Sequence, residues 1–161
     1  MAEDLHIDKS NKKNTYSSLI PQIKALCAGE SNVIANQANI TAALKQAFDF
    51  FWVGFYWKDT EEQLVLGPFQ GPIACTRIAR GKGVCGSSWD QRKSIIVDDV
   101  EAFPGHIACS ADSKSEIVIP IFKKNEVIGV LDIDSANYNS FDKLDEQFLT
   151  ELCDWIGSNI I

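Results

Sequence analysis

The amino-acid sequence predicts a single α+β domain, in which a central antiparallel sheet of about six strands carries N- and C-terminal helices on one face. Apolar residues recur at helical spacing near both ends of the 161-residue chain, whereas the middle holds short apolar and aromatic runs separated by turns. Short connections between successive strands favour antiparallel pairing. No internal repeat or linker interrupts the pattern, so we expect residues 1–161 to form one domain.

The long predicted helices comprise two at the start of the chain and one at its end. Residues 1–10 are polar and are expected to form a loose arm. An apolar helical stripe follows over 12–28, but Pro21 requires that this helix either starts near Ser18 or tolerates a kink. Ser31 is the expected N-cap of the second helix, and Asp142 the cap of the last one. The expected inward positions of the last helix are Leu144, Phe148, Leu152, Trp155 and Ile156.

Strand patterns occupy the middle of the chain. The predicted strands are 50–57, 64–71, 73–79, 94–100, 116–122 and 127–135, the last two forming a hairpin. Gly67-Pro68 is expected to break the second strand, and the glycines of 81–93 predict a tight turn that leads into a short helix. Residues 101–115 show no periodicity, and long irregular loops inside a compact domain are often functional.

Composition and charge narrow the classes of partner. The net charge of −7 argues against non-specific binding to nucleic acid, which needs a basic surface. No apolar run approaches the roughly 20 residues that span a bilayer, and the polar N-terminus does not resemble a secretory signal. We therefore expect a cytoplasmic protein that acts on small polar molecules, with neither a membrane nor nucleic acid as partner.

Five cysteines are the first candidates for chemistry. An odd number of cysteines without a signal peptide is not typical of a disulfide scaffold. Cys27 and Cys153 lie on predicted helices and are most simply buried small apolar residues. Cys75, Cys85 and Cys109 instead lie beside glycines or in loops. Cys85 falls at a predicted helix N-terminus, where unpaired backbone N–H groups favour a thiolate.

A zinc site is an alternative interpretation of these residues. Cys75, Cys85 and Cys109 together with His106 would supply four ligands of types that zinc accepts. The sequence contains no CxxC pair, however, and the spacings differ from those of usual zinc ligands. We therefore expect no metal.

Three carboxylates are predicted to meet at one end of the hairpin. Glu116 begins one strand, while Asp132 and Asp134 end the other and share a face because side chains alternate along a strand. Such a cluster needs a proton or a cation, and at least one acid would have a raised pKa. A solvated strand end, an ammonium-binding site and a hard-cation site all remain open. Trp52 and Tyr56 also share a face, as core residues or as walls of a pocket.

Four segments of the sequence form a specific set of motifs: FWVGFYW, LVLGPFQGPIACTRIARGKGVCG, VEAFPGHIACSADSKSEIVIP and GVLDIDS. Together they resemble one family, the free methionine-(R)-sulfoxide reductases, which are stand-alone GAF-domain enzymes. The resemblance extends from about Ser17 to Ile156, nearly the whole chain. It implies a GAF fold and the reduction of free methionine sulfoxide to methionine.

The resemblance also assigns roles to the three cysteines outside the helices. Cys109 matches the catalytic cysteine, Cys75 the cysteine that forms a disulfide with it, and Cys85 an auxiliary thiol of the pocket. The Cys109 thiolate would attack the sulfoxide sulfur and become a sulfenic acid, which Cys75 would resolve to a disulfide. A dithiol donor, expected to be thioredoxin, would restore both thiols, so no other cofactor is expected.

The remaining matched positions would contact the substrate. Glu116, Asp132 and Asp134 match its acidic contacts, and Trp52 and Tyr56 match the aromatic positions around it. We assign Glu116 and Asp134 to protonation of the sulfoxide oxygen and Asp132 to the ammonium group. The oligomeric state is left open, with a homodimer through the terminal helices as an arrangement that suits a GAF fold.

Two other functions are compatible with parts of the sequence. The stretch 137–142 resembles a pattern common in sensory GAF domains, for instance those that bind cyclic nucleotides, although a sensor does not need three pocket cysteines. A thiol redox sensor would form a disulfide with oxidants without turning over a sulfoxide. Mass spectrometry after addition of methionine sulfoxide separates the reductase from a ligand sensor, because only the reductase should gain a Cys75–Cys109 bridge. An assay of sulfoxide consumption separates the reductase from the thiol redox sensor.

Overall fold

Six strands pair into one antiparallel sheet in the computed structural model, which describes residues 4–105 and 110–161. The strands are β1 (Trp52–Lys58), β2 (Gln63–Gln70), β3 (Arg77–Ala79), β4 (Ile95–Val97), β5 (Ser115–Lys123) and β6 (Glu126–Ser135). Their order across the sheet is β3-β2-β1-β6-β5-β4, so the β5–β6 hairpin and β1 occupy its centre. The predicted α+β fold with an antiparallel sheet is confirmed.

The helices divide between the two faces of this sheet. They are α1 (Lys12–Cys27), α2 (Val33–Phe48), α3 (Gly83–Gln91) and α4 (Lys143–Asn159), with a short 3-10 helix at Val100–Ala102. The N- and C-terminal helices α1, α2 and α4 share a core with one face, as predicted. The short helix α3 packs on the opposite face with a second, smaller core. Among the described residues, no helix combines the length and apolar character that crossing a bilayer requires.

The first helix crosses Pro21 without starting again at Ser18. It begins at Lys12, with the Asn11 side chain as N-cap accepting from the backbone N–H of Asn14. The cap of α2 is Asn32 rather than the predicted Ser31, and its side chain accepts from the backbone N–H of Ala35. Both capping residues satisfy backbone donors that the first helical turn leaves unpaired.

The N-terminal segment contacts α1. Of the residues expected to form a loose arm, the described ones are 4–10, and within them Leu5 and Ile7 pack against the helix-side core. The backbone N–H of His6 donates to Gln22 Oε1, whose amide nitrogen donates back to the His6 carbonyl.

Helix α4 begins at the predicted cap. Asp142 and Asp145 form a capping box, and the buried Asp145 also accepts from Tyr16 Oη and pairs with Lys12 of α1. The fully buried stripe of α4 is rotated by one residue from the predicted one, because Asp145 and Cys153 face inward. Of the predicted inward positions, Leu152 and Ile156 are fully buried, whereas Leu144, Phe148 and Trp155 are half-buried.

Three of the predicted strand limits are wrong for physical reasons. Strand β2 continues through Gly67-Pro68, because a bulge opposite Phe55 accommodates the proline that a regular ladder would exclude. Strand β3 covers only its last three predicted residues, since the backbone before it pairs with side chains instead. Strand β4 ends at Val97, and the segment after it turns into the 3-10 helix capped by Asp99.

Candidate functional site

The three central strands alternate between the helix-side core and a pocket on the opposite face. Along β1, for example, Val53 and Phe55 pack in the helix-side core, whereas Trp52 and Tyr56 face the pocket. The ladder pairs Trp52 with Asp134, and Asp134 with Glu116. The next pocket-facing row of the sheet contains Asp132, which is adjacent to both neighbouring strands. Backbone pairing therefore brings the three acids together, as the hairpin pattern predicts.

The pocket is closed by α3 and by two connecting segments. Helix α3 contributes Val84 and Cys85, the segment after β2 contributes Pro72 and Ile73, and the segment before β5 contributes Ser113. The other described lining residues are Phe51, Trp52, Tyr56, Ile78, Lys82, Gly83, Ser110, Glu116, Asp132 and Asp134. An acidic sheet face thus lies beneath a partly apolar rim.

The two predicted aromatic residues lie at one side of this pocket. Trp52 and Tyr56 are both buried, and their ring centroids are 5.9 Å apart. Trp52 Nε1 donates to the carbonyl of Pro72 at 3.1 Å, and Tyr56 Oη donates to the carbonyl of Cys75 at 2.9 Å. These hydrogen bonds hold the segment that carries Cys75 against the sheet, so the aromatic residues are structural as well as lining.

The three acids are held in an environment that disfavours their charged forms. Burial is the first cause that raises the pKa of Glu116 and of Asp132 well above the usual range, and the neighbouring carboxylates add to it. Burial also raises the pKa of Asp134 to about 6, although the hydrogen bond from Ser113 Oγ opposes the shift. Folding therefore favours the protonated forms of these acids, and a bound cation would oppose this preference.

The structure corrects the expectation that Cys85 is a thiolate. Cys85 does lie in the first turn of α3, but only 3% of it is exposed, and it contacts Asp132. Burial and then the charges of Asp132 and Glu116 raise the pKa of its thiol well above the usual value. Burial and the neighbouring acids both favour the protonated form, so Cys85 is a neutral thiol rather than a thiolate.

The other cysteines are separated by the sheet. Cys75 is half-buried and packs against the pocket-side core, whereas Cys27 and Cys153 are buried in the helix-side core, as predicted. Cys109 and His106, two of the four ligands in the zinc alternative, lie outside the described residues. A different set of potential ligands meets in the pocket: donor atoms of Cys85, Glu116 and Asp132 lie within 4.8 Å of one another.

Ser113 and Lys82 are pocket residues to which the sequence assigned no role. Ser113, buried in the segment before β5, hydrogen-bonds Asp134, and Lys82 supplies a positive charge at the rim. Ser113 lies in the irregular stretch already suspected of function, and two residues before a strand. Its proximity to Glu116 is the signal that would have identified it. Lys82 lies between two glycines of the turn before α3, and that setting gives no comparable signal.

Substituting Gly54 with alanine is expected to displace Trp52. A Cβ at Gly54 would overlap the Trp52 ring and Phe69, because the ring lies across the strand at this glycine. We expect the KM for methionine sulfoxide, the substrate that the family resemblance implies, to rise about tenfold, equivalent to about 1.4 kcal/mol of binding free energy. Gly67→Ala is the matched control, since its Cβ would meet Trp57 instead. An equal rise in KM for both variants would contradict the proposed role of Trp52.

The family model of the GAF domain matches residues 37–160. GAF domain-containing protein A of Dictyostelium discoideum is 63% identical over 152 residues, which cover 94% of this chain and 96% of that protein. The free methionine-R-sulfoxide reductase of Escherichia coli is 48% identical over 143 residues, which cover 88% of this chain and 86% of that enzyme.

A solved structure agrees with these relatives over almost the full length. The X-ray structure of the free methionine-R-sulfoxide reductase from Neisseria meningitidis in complex with its substrate has a TM-score of 0.95 and 48% sequence identity. The match covers 98% of this chain and 95% of that chain. The chain therefore belongs to the GAF-domain family and, within it, to the free methionine-R-sulfoxide reductases.

Proposed function

We propose that this protein reduces the R form of free methionine sulfoxide to methionine. The observation that carries the proposal is the pocket in which Glu116, Asp132 and Asp134 face Trp52 and Tyr56 across adjoining strands. A free amino acid sulfoxide offers a cationic ammonium, a basic sulfoxide oxygen and a small apolar methyl group. The acids suit the first two, and the aromatic surface suits the third.

The ammonium group is assigned to Asp132. Its Oδ1 is buried and has no hydrogen-bond partner among the described residues, so a ligand that donates hydrogen bonds would satisfy it. A substrate ammonium would also lower the repulsion within the acid cluster. Peptide-bound methionine sulfoxide lacks this charge, which supports a preference for the free amino acid.

The proton for the sulfoxide oxygen is assigned to Glu116 and Asp134. Burial and then neighbouring charges raise the pKa of Glu116 well above its ordinary range, so folding favours the protonated form of this acid. Asp134, with a pKa of about 6, exchanges protons near the working pH. Protonation turns the sulfoxide oxygen into a leaving hydroxyl while the thiolate attacks the sulfur.

The redox steps use Cys109 and Cys75, on the strength of the family resemblance. The Cys109 thiolate attacks the sulfoxide sulfur and forms a transient sulfur–sulfur bond while the oxygen takes up a proton and its bond to the substrate sulfur breaks. The hydroxyl is then bonded to the Cys109 sulfur, and the sulfur–sulfur bond breaks, which leaves Cys109 as sulfenic acid and releases methionine. The Cys75 thiol then displaces water and forms the disulfide. A dithiol donor reduces that disulfide and becomes oxidised itself. Cys85 is kept as an auxiliary thiol.

The reductant, the compartment and the assembly complete the proposal. Thioredoxin is proposed as the donor, because Cys75 is partly exposed beside Ile73, whose side chain is 90% exposed and gives an apolar contact for a protein disulfide reductase. The cytoplasm is the proposed location, since this cycle needs a reducing compartment. A homodimer through the terminal helices stays a prediction, which sedimentation equilibrium would test.

The deciding assay presents the R and S forms of free methionine sulfoxide together with a thioredoxin system. We expect consumption of the R form, with release of stoichiometric methionine and little consumption of the S form. N-acetylmethionine sulfoxide is the matched control, because it retains the sulfoxide and loses the ammonium charge. Failure to consume the R form would overturn the proposal, and equal use of the acetylated substrate would remove Asp132 from its assigned role.

Replacing Glu116 with glutamine is expected to stabilise the fold above neutral pH while slowing turnover. A carboxyl whose pKa is raised by folding costs stability progressively as the pH rises above the unfolded-state pKa, about 4.3 for glutamate. The amide has the same shape and does not titrate. We therefore expect the variant to have the higher Tm at pH 8, by a few degrees, and little difference at pH 4. Calorimetry at both pH values measures this; a variant less stable at pH 8 would contradict it.

A further inference from the structure

The pocket contains three donor atoms that suit a metal ion of the zinc type. The Cys85 sulfur and one oxygen each of Glu116 and Asp132 lie within 4.8 Å of one another, and all three residues are at least 93% buried. They come from α3, β5 and β6, so the packing of three separate elements creates the cluster. Around a tetrahedral zinc ion such donors stand about 3.5 Å apart, a separation that modest side-chain rotation reaches.

A second observation points to a cationic ligand at the same place. Asp132 Oδ1 is buried and without a hydrogen-bond partner among the described residues, and Asp132 lines the pocket. Nearby Asp134 adds a third carboxyl, whereas Lys82 is the only described cationic side chain that lines this pocket. A divalent ion would satisfy the vacant acceptor and balance more of the negative charge than one ammonium group does.

We propose that this pocket binds Zn²⁺ through Cys85, Glu116 and Asp132, and that the bound ion excludes the substrate. Three protein ligands leave one position open toward the pocket, for water or another small ligand. Binding replaces the Cys85 thiol proton, and the protons held by Glu116 and Asp132, by bonds to zinc, and these protons are released to solvent. Because Asp132 cannot hold zinc and the substrate ammonium at once, zinc acts as a competitive inhibitor.

The donor set explains why zinc is favoured over Mg²⁺ or Ca²⁺. Those hard cations prefer six or more oxygen ligands, whereas this cluster offers one sulfur and two carboxylates in a confined space. A thiolate ligand selects softer ions. The zinc ligands considered in the sequence analysis were three cysteines and His106. Only Cys85 belongs both to that set and to the site proposed here.

Direct binding of Co²⁺ and Zn²⁺ to the fully reduced protein tests the site. Co²⁺ at a thiolate gives a near-ultraviolet charge-transfer band, and Zn²⁺ affinity follows from competition with a chromogenic chelator. We expect Cys85→Ser to abolish the band and to weaken Zn²⁺ binding about 100-fold, and Asp132→Asn to weaken it to a similar degree. Both substitutions keep the side-chain shape, and a thermal melt of each variant checks its folding.

Cys75→Ser and Cys109→Ser are the matched controls, because each removes a thiol outside the proposed ligand set. Both should retain the band, with Zn²⁺ affinity within about twofold of the parent. Loss of the band in either control, or its survival in Cys85→Ser, would overturn the proposal, and so would Zn²⁺ inhibition that methionine sulfoxide cannot relieve. The inhibition rests on the proposed reductase function, whereas metal binding does not. A chain that binds zinc at Cys85 without reducing the sulfoxide would therefore refute only the reductase proposal and the inhibition.

Discussion

Cys109→Ser is expected to abolish the release of methionine, with a loss of at least about 1,000-fold in turnover. A serine hydroxyl at neutral pH is a far weaker nucleophile than a thiolate, and it cannot form the proposed sulfenic acid, which would store the two oxidising equivalents. Methionine released per enzyme, measured by chromatography in a single-turnover mixture, gives the result. Full activity of Cys109→Ser would refute its assignment as nucleophile.

Cys75→Ser should behave differently, and this contrast separates the attacking thiol from the resolving one. It retains the first step, so about one methionine per enzyme should be released before turnover stalls without its resolving thiol. Cys27→Ala, a substitution in the helix-side core, is the control and should continue to turn over. Sustained turnover by Cys75→Ser with thioredoxin would indicate that another thiol resolves the intermediate, and Cys85 would be the first candidate.

Gly157→Ala is expected to cause the largest loss of stability among single-methyl changes. Gly157 is buried where α4 crosses β5, and an added Cβ would overlap the backbone carbonyl of Phe122. Backbone cannot move aside as a flexible side chain does, so the helix must shift away from the sheet. We expect the free energy of unfolding to fall by about 3 kcal/mol and the Tm by roughly 6–12 °C.

Thermal unfolding followed by circular dichroism measures this effect. Ser158→Ala is the matched control, because the neighbouring residue is exposed and its hydroxyl bonds only within the helix, to the Asp154 carbonyl. It should change the Tm by no more than about 2 °C. Similar melting of both variants would mean that α4 is free to slide on the sheet.

Local pattern was sufficient to predict most of the sheet and the meeting of the acids. The alternation in the β5–β6 hairpin fixes which residues share a face, and this alone places Glu116 beside Asp134. The N-cap of α4 at Asp142 was equally predictable, because an acid at the N-cap accepts hydrogen bonds from backbone N–H groups of the first helical turn.

Features that depend on tertiary contacts could not be predicted in this way. Pro68 is tolerated by a bulge that exists only when β1 is paired with β2. Burial, and then acids from two strands distant in sequence, raise the pKa of the Cys85 thiol, so the helix-terminus argument alone gave the wrong charge state. The inward face of α4 is shifted toward Asp145 because the carboxylate meets Tyr16 and Lys12 of α1.

The alternation of β1 also limits how such a pocket can change its ligand. The acids and Trp52 are fixed by hydrogen-bonded pairing, and each lies next in sequence to a residue of the helix-side core, so a shift of one residue in register would expose that core. The rim around Pro72 and Ser113 has no such constraint. Substitutions that change the preferred ligand should therefore occur in the connecting segments. The carboxylates on the sheet face should stay in place and continue to favour amines and cations.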